Sequence, residues 1–347
     1  MLVPSSQHPR VRPFRSLLPR MLAFTAALTL AACGGGDSSL APADEPTTGD
    51  AAASGDAAAS ETPAPGGGVA ALIAPRIAFT SYAGMLGDVY LTDPQGSTRT
   101  PLLTSASTEF APTWSYDHKH VAMVRYRTDA ANVQHSDIYL MDADGTHKHW
   151  AKSYTSAFSI MDPSWSPDGS RLVVRVILQN ADYVATLDLA TGTLALVWYL
   201  GGGYVQGREA SYDPTGQKII YVGSSNKTVD MVVPGGGHSV LVASDTRVND
   251  PTYSPDGKRI AYSRIATGTF NNLEIFVKTL ASGVVTRLTN SGGYDGQPSW
   301  SPDGSRIAFA SDRSGRGQIW TMSSSTGGSL LRITNSSRDD VEPAWSH

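Results

Sequence analysis

A short motif of the type Pro-x-Trp-Ser-Pro-Asp-Gly recurs six times in this chain of 347 residues. The copies lie 41 to 51 residues apart, and each centres on one aromatic residue: Trp114, Trp165, Tyr212, Tyr253, Trp300 and Trp345. Repeats of about 40–50 residues that consist of short β-type segments are typical of the blades of a β-propeller. The repeat therefore predicts an all-β ring to which each copy contributes one blade.

The most regular repeat, residues 298–335, indicates how one copy forms one blade. Its alternating segments predict four short antiparallel strands, at 298–301, 306–310, 318–322 and 330–333. Ser-Pro-Asp-Gly joins the first two strands, because proline presets one backbone angle, aspartate bonds nearby amides and glycine accepts a positive φ. Other copies follow this plan less strictly, and His118 stands where most copies have the glycine.

The two ends of the repeat region are complementary. The last motif copy, at 343–346, has no partner strands after it, whereas the first set of partner strands, at 75–104, has no copy before it. We expect the C-terminal strand to pair with the N-terminal blade, which closes a ring of six blades over residues 73–347. Such closure removes the open sheet edge that would favour aggregation.

Two segments carry a family resemblance. They are Pro-Ser-Trp-Ser-Pro-Asp-Gly-Ser-Arg-Ile-Ala-Phe at 298–309 and Asp-Ile-Tyr-Leu-Met-Asp-Ala-Asp-Gly at 137–145. Both resemble the TolB-type, WD-repeat-like propeller family, and the resemblance extends over residues 75–347. It implies a six-bladed propeller with a habit of binding partners. TolB itself carries an α/β domain before its propeller, whereas this chain is expected to have only a tether there, so the Tol role is not carried over.

Residues 1–32 resemble an export signal. Four arginines precede an apolar run at 21–32, which is too short to span a bilayer and ends in small residues. Leu-Ala-Ala-Cys at 30–33 resembles the bacterial lipobox and predicts that Cys33, the one cysteine of the chain, is lipidated. The alternative is an ordinary Sec signal followed by an unrelated cysteine. In lipoproteins with this motif, an aspartate directly after the lipidated cysteine is the signal for retention in the inner membrane. This chain has Gly34 at that position, so the resemblance implies transfer to the outer membrane, with the domain facing the periplasm.

Residues 33–72 consist almost wholly of Gly, Ala, Ser, Thr, Pro and acidic residues, a composition that predicts a disordered tether behind the lipidated cysteine. A flexible chain of this length typically reaches about 35 Å. The net charge of the whole chain is −4 and no basic stripe occurs, so nucleic-acid binding is not expected. We expect a monomer that contacts the membrane through its lipid alone.

In a propeller, the loop that leads into each inner strand ends at the mouth of the central channel. The residues directly before the six Pro-x-Trp copies are therefore expected there: Ala111, Asp162, Glu209, Asp250, Gln297 and Glu342. Three further acids lie close by in sequence: Asp295, Asp339 and Asp340.

Carboxylates gathered around one axis raise each other's pKa and attract cations or basic side chains. This predicts a site for a cation or a basic peptide at the channel mouth, formed by Asp162, Glu209, Asp250, Asp295, Gln297, Asp340 and Glu342. The alternative is that these acids bond loop amides and only stabilise the turns.

Two other groups of residues carry weaker signals. The His-Lys-His segments at 118–120 and 147–149 have the spacing of metal ligands, but each lacks an evident third ligand, so solvent-exposed histidines are the preferred interpretation. The repeated aromatic residues are interpreted as packing between blades. Trp150, Trp198 and Tyr204 fall outside the repeat and are candidates for exposure.

The chain contains no G-x-S-x-G nucleophile elbow and no H-E-x-x-H zinc motif. The sequence therefore favours a lipid-anchored, non-catalytic module of the bacterial cell envelope that binds a protein, a peptide or another ligand. We expect no catalytic residue and no cofactor, with a cation at the channel mouth as the one candidate ion. The alternative is an enzyme, a polysaccharide lyase or hydrolase, with its site at that mouth.

Overall fold

The computed structural model describes residues 75–128, 134–151, 159–266 and 272–346. These residues form 26 β-strands and no helix, so none of them lies in a helix that could cross a bilayer. The predicted signal peptide, Cys33 and the predicted tether lie outside the described residues.

Six four-stranded antiparallel sheets form the blades, and the strands of each blade follow one another from the inner strand outward. Blade 1 consists of β26 (Asp339–Trp345), β1 (Ile77–Ala83), β2 (Leu86–Thr92) and β3 (Thr100–Leu103). Blade 2 consists of β4 (Glu109–Trp114), β5 (His120–Thr128), β6 (Gln134–Asp142) and β7 (His149–Trp150). Blade 3 consists of β8 (Ser159–Trp165), β9 (Arg171–Leu178), β10 (Ala181–Asp188) and β11 (Leu194–Leu196).

The second half of the ring repeats this arrangement. Blade 4 consists of β14 (Gly207–Tyr212), β15 (Ile219–Gly223), β16 (Thr228–Val232) and β17 (His238–Ala243). Blade 5 consists of β18 (Val248–Tyr253), β19 (Arg259–Ile265), β20 (Leu273–Thr279) and β21 (Val285–Arg287). Blade 6 consists of β22 (Asp295–Trp300), β23 (Arg306–Ser311), β24 (Gln318–Ser323) and β25 (Leu331–Arg332). An additional hairpin, β12 (Trp198–Tyr199) and β13 (Gly203–Tyr204), lies in the connection from blade 3 to blade 4.

The two ends of the repeat region close the ring, as the sequence predicts. β26 pairs antiparallel with β1, with Ile77 opposite Trp345 and Tyr82 opposite Asp339. The closing strand is longer than the predicted segment at 343–346, because the inner strand already begins at Asp339 and continues through a bulge. The fold is therefore a six-bladed β-propeller.

The hydrophobic core lies between neighbouring blades. Between blades 2 and 3, for example, Val124 and Ile138 form one buried cluster with Leu172 and Val174. The six repeated aromatic residues are all buried: Trp114, Trp165, Tyr212, Tyr253, Trp300 and Trp345. This confirms the interpretation of these residues as packing between blades.

The Ser-Pro-Asp-Gly segment forms the predicted turn. Ser301 Oγ donates to Asp303 Oδ1 at 2.6 Å, and Arg306 N donates to Ser301 Oγ at 2.9 Å. The hydrogen bond from Ser301 is the largest of several that hold the pKa of Asp303 below its ordinary value. Gly304 has a φ of 66°, and His118 adopts a φ of 63° at the equivalent position of blade 2.

Indole groups link successive blades at the end of the ring where these turns lie. Each of three indoles donates from Nε1 to a carbonyl of the preceding blade: Trp114 to Ala344 (3.1 Å), Trp165 to Thr113 (3.2 Å) and Trp300 to Thr252 (3.3 Å). The six aromatic residues and their neighbours surround a cavity of about 90 Å³. We call this end of the propeller, with its aromatic residues and turns, the aromatic face.

We expect Trp345→Ala to lower the free energy of unfolding by about 3–5 kcal/mol. Trp345 is 4% exposed and belongs to the strand that closes the ring. Trp198→Ala is a matched control, because Trp198 is 50% exposed and should contribute little to stability. Thermal and urea unfolding of both variants measure the difference. Equal loss in the two variants would contradict closure through β26.

Candidate binding site at the channel mouth

The inner strands of the blades contact one another in a closed circle, which runs through β4, β8, β14, β18, β22 and β26. Each of these strands contains a β-bulge at the same place. The bulges contain residues with a positive φ between 51° and 57°: Ala111, Asp162, Glu209, Asp250, Gln297 and Glu342. Positive φ is uncommon for residues other than glycine. The sequence predicts these six residues where loops end at the channel mouth, whereas the structure has them inside the inner strands, at the bulge. The repeated bulge gives all six the same backbone geometry.

The side chains of four mouth residues bond the next blade. Asp250 N donates to Glu209 Oε2 at 2.7 Å, and Gln297 N donates to Asp250 Oδ2 at 3.3 Å. Glu342 N donates to Gln297 Oε1 at 2.9 Å, and Ala111 N donates to Glu342 Oε2 at 2.7 Å. These bonds run head to tail from blade 4 through blades 5, 6 and 1 to blade 2. These acids therefore accept hydrogen bonds from backbone amides, as the alternative interpretation of the sequence expects.

The series of side-chain bonds between blades does not continue through blades 2 and 3. Ala111 has no side-chain acceptor, and Asp162 Oδ2 instead accepts a hydrogen bond of 3.4 Å from Arg175. Arg208 forms an ion pair of 3.2 Å with Glu209 Oε1. The two arginines offset part of the negative charge that the sequence predicts at the mouth. Arg208 directly precedes Glu209 in the sequence, and this adjacency is the signal that could have identified it.

Burial controls the protonation of the mouth carboxylates. It is the largest cause of the rise in the pKa of Glu209 to about 8, and the neighbouring charge of Asp250 adds to that rise. Burial likewise raises the pKa of Glu342 to about 7. The pKa values of Asp162 and Asp250 are also raised by burial, against the opposite effect of the arginines. Near neutral pH the mouth therefore holds protons that a bound cation would displace.

Three tyrosines lie among the carboxylates. Burial raises the pKa of Tyr294, and the negative charges of Asp250 and Glu342 raise it further. Burial and then Glu342 also raise the pKa values of Tyr82 and Tyr126. Tyr82 and Tyr126 occupy equivalent positions in the second strands of blades 1 and 2. Sequence reasoning missed all three tyrosines because they lie outside the motif that marks the inner strands.

Two predicted site residues do not face the channel as free charges. Asp295 pairs with Arg313 at 2.8 Å and Asp340 pairs with Arg99 at 2.9 Å, and both aspartate side chains are fully buried. A carboxylate enclosed with its own arginine is not accessible to a partner, so we leave these two residues out of the candidate site. Asp339, the third acid near the motif, accepts a hydrogen bond of 3.0 Å from the backbone amide of Gly317.

The two histidine segments meet at one carboxylate. Nδ1 of His120 and Nδ1 of His147 lie 3.0 Å and 2.7 Å from the two oxygens of Asp142. The structure thus brings together one histidine from each segment instead of the two within a segment. Among the residues that the structure describes, no group of three or more His, Cys, Asp or Glu side chains is placed to hold a metal ion.

The fold and the site together define a six-bladed propeller with a carboxylate-lined channel mouth. A family model described as the TolB beta propeller domain matches residues 73–269 and 211–347. The chain therefore belongs to the TolB beta-propeller family, which confirms the resemblance drawn from its repeats. None of the curated proteins that were compared matches the chain.

Several solved structures share the fold. TolB from Acinetobacter baumannii is 23% identical, with a TM-score of 0.66 over 78% of this chain and 66% of that chain. Hydrazine synthase from Kuenenia stuttgartiensis is 12% identical, with a TM-score of 0.60 over 78% and 46%. A chain of the nidogen/laminin complex is 10% identical, with a TM-score of 0.59 over 79% and 98%. Likeness at this identity shows the fold alone, and the chain spans just under two thirds of the TolB structure.

We expect the stability of the propeller to fall as the pH rises from the ordinary glutamate pKa of 4.5 to about 8. Glu209 and Glu342 bind protons more tightly in the folded chain than in the unfolded chain. Their contribution is complete below pH 4.5 and is lost as the pH rises through about 7 and about 8. Thermal unfolding across this range at constant ionic strength measures the effect.

The double variant Glu209→Gln, Glu342→Gln is the control for this pH dependence. Each glutamine keeps an oxygen that can accept the same backbone amide but has no proton to exchange in this range. The variant should therefore lose stability less steeply with rising pH than the parent protein does. An identical slope in both proteins would contradict the raised pKa values.

Proposed function

We propose that this chain is a lipid-anchored, non-catalytic binding module of the bacterial cell envelope, and that its channel mouth holds a basic segment of a protein or peptide. The observation that carries the proposal is the group of four mouth carboxylates whose pKa values burial raises. A lysine or arginine that enters the mouth favours the ionised carboxylates and displaces their protons. The site is thus electrostatically complementary to a cationic group.

The geometry leaves the carboxylates capable of a second contact. In Glu342 the bonds from Ala111 and Thr80 both use Oε2, which leaves Oε1 for a bound group. In Glu209, Oε2 bonds the next blade and Oε1 pairs with Arg208, so a basic side chain there would share Oε1 with that arginine. The side chain of Asp162 keeps 25% of its surface exposed and that of Glu209 keeps 18%. The nearby tyrosines can pack against the apolar stem of a lysine or the plane of an arginine. Both features support a basic side chain as the occupant.

Family membership and the N-terminal sequence support the proposed location. Membership of the TolB propeller family supports a protein partner in the cell envelope. The lipobox at 30–33 supports an anchor at Cys33, and Gly34 supports the outer membrane, with the propeller in the periplasm. The tether of residues 33–72 would let the propeller reach partners near its membrane.

One observation favours the enzyme alternative. Glu209 has a pKa raised to about 8 and lies beside Asp250, whose charge contributes to that rise. Glycosidases use pairs of carboxylates whose environments separate their pKa values. Release of new chain ends from polysaccharides by the purified protein, together with loss of that release in Glu209→Gln, would favour a lyase or hydrolase over a binding module.

The anchor has its own test. We expect the parent protein to incorporate a labelled fatty acid and to fractionate with the membrane, because the lipobox cysteine would be acylated. Cys33→Ser removes the thiol and should abolish both properties. If the variant fractionates with the membrane as the parent does, Cys33 is not the anchor.

The channel mouth is tested by a charge-removing variant. We expect the combined changes Asp162→Asn, Glu209→Gln, Asp250→Asn and Glu342→Gln to weaken capture of the partner in an envelope pull-down and to reduce its salt dependence, because the screened attraction is removed. Binding to the parent should strengthen as the pH rises through about 7 and about 8, because Glu342 and then Glu209 lose their protons and become negatively charged.

A matched control removes four charges from the opposite end of the ring. The changes Asp117→Asn, Asp168→Asn, Asp256→Asn and Asp303→Asn affect the turns of the aromatic face and keep Oδ1 as the turn acceptor. This variant should bind as the parent does. Weakening of equal size in both variants would indicate a general charge effect, and unchanged affinity in the mouth variant at low salt would exclude the mouth as the site.

A further inference from the structure

The two faces of the ring can be assigned from strand register. Ile77 lies opposite Trp345, so β1 begins at the aromatic face, whereas Tyr82 at its other end lies near the channel mouth. The chain therefore enters the propeller at the aromatic face, immediately after Pro75 and Arg76. A tether that precedes these residues joins that face and leaves the channel mouth on the opposite side.

The hairpin of β12 and β13 interrupts the sixfold pattern and docks on blade 4. Gly235 N donates to Trp198 O at 2.9 Å, and Leu200 N donates to Gly236 O at 2.9 Å. These two glycines belong to the turn between β16 and β17. The backbone of the hairpin is thus fixed to blade 4, and Tyr199 stacks on His238, whereas Trp198, Leu200 and Tyr204 remain exposed.

Strand register also places this hairpin at the aromatic face. The turn that it contacts follows Val232, which pairs with Ile219. Ile219 in turn pairs with Tyr212, one of the six repeated aromatic residues. The hairpin and the point where the chain enters the propeller therefore lie on the same face of the ring.

The hairpin exposes large apolar side chains. Trp198 is 50% exposed, Leu200 is 75% exposed and Tyr204 is 61% exposed. Trp198 and Tyr204 are cross-strand partners, so their rings lie on one side of the hairpin. No charged residue occurs between Asp188 and Arg208. An exposed apolar cluster of this kind is typical of an interaction surface.

More exposed apolar residues lie at the beginning of the outer strands of two other blades. They are Val284 and Val285 in blade 5 and Leu330 and Leu331 in blade 6. The strand register connects Val285 through β20 and β19 to Tyr253, and so places it at the aromatic face as well. Exposed apolar residues therefore occur on the same face of several blades.

The sequence predicts membrane contact through the lipid alone; we propose instead that this hairpin also inserts into the boundary between the headgroups and the acyl chains of a lipid bilayer. Tryptophan and tyrosine favour that boundary because their rings are apolar with one polar group, and an uncharged segment enters it without the cost of burying a charge. The hairpin would then enter the bilayer, the aspartate-containing turns of the aromatic face would lie at the level of the headgroups, and the channel mouth would be turned away from the membrane. The identity of the membrane rests on the proposed anchor at Cys33, whereas the contact itself does not.

Trp198 provides the probe for this contact. The chain has seven tryptophans, and Trp198 is 50% exposed. The other six lie in the blades and are buried or only partly exposed. Protein comprising residues 34–347, which keeps every described residue but carries no lipid, is mixed with neutral phosphatidylcholine vesicles. We expect a shift of tryptophan emission to shorter wavelength and reduced quenching by acrylamide. Because the hairpin is uncharged, binding should not depend on salt.

Two double variants decide the outcome. Leu200→Gln with Tyr204→Gln should weaken vesicle binding by at least about tenfold, since two large apolar contacts are lost. Met85→Gln with Leu86→Gln is the matched control, because these residues are exposed at the opposite end of β1 and β2. The control should bind vesicles as the parent does.

The proposal would be overturned by the absence of an emission change with the folded parent, by equal weakening in both variants, or by binding that requires anionic lipid and disappears in salt. Self-association of the parent that the hairpin variant abolishes, without vesicle binding, would assign the surface to a second copy and also overturn it. Since the protein carries no lipid and the hairpin is remote from the channel mouth, failure here leaves the tests of the anchor and of the channel mouth unaffected.

Discussion

The pairing of β26 with β1 is the interaction on which the rest of the structure depends. It joins residues from opposite ends of the repeat region into one sheet and completes the circle of inner strands. Only a closed circle holds six bulge residues around a single axis. The position of the carboxylates at the channel mouth is therefore a consequence of ring closure.

Glu342 shows how closely closure and the candidate site are linked. This residue lies in the closing strand, accepts the amide of Ala111 in blade 2 and accepts the hydroxyl of Thr80 in blade 1. The same enclosure that enables these bonds raises its pKa to about 7. A side chain that stabilises the contact between blades is thus also one that can exchange its proton for a bound cation.

Much of the fold could be predicted from the sequence because the repeat is regular. The aromatic residues, the turn after them and the closing strand all follow from six copies in phase. Even His118, which replaces a glycine, adopts the positive φ that its turn position requires. The β12–β13 hairpin could not be predicted from spacing, because the interval between Trp165 and Tyr212 equals that between Tyr253 and Trp300.

The site was less predictable because a shift of two residues along an inner strand changes the surroundings of a side chain. Gln297 and Glu342 face the channel, whereas Asp295 and Asp340 are enclosed with Arg313 and Arg99, which lie in loops outside the inner strands. The arginines and tyrosines of the mouth come from positions that no motif marks. Their contribution depends on three-dimensional proximity, which sequence spacing alone does not specify.

The most direct test of the central claim is to measure the pKa values of the mouth glutamates by NMR. The chain contains only six glutamates, so ¹³C labelling of their side-chain carboxyls gives few signals, and Glu209→Gln and Glu342→Gln assign two of them. We expect Glu209 to titrate at about 8 and Glu342 at about 7. If both titrate at the ordinary value of 4.5, the mouth does not hold exchangeable protons near neutral pH, which would contradict the proposed site.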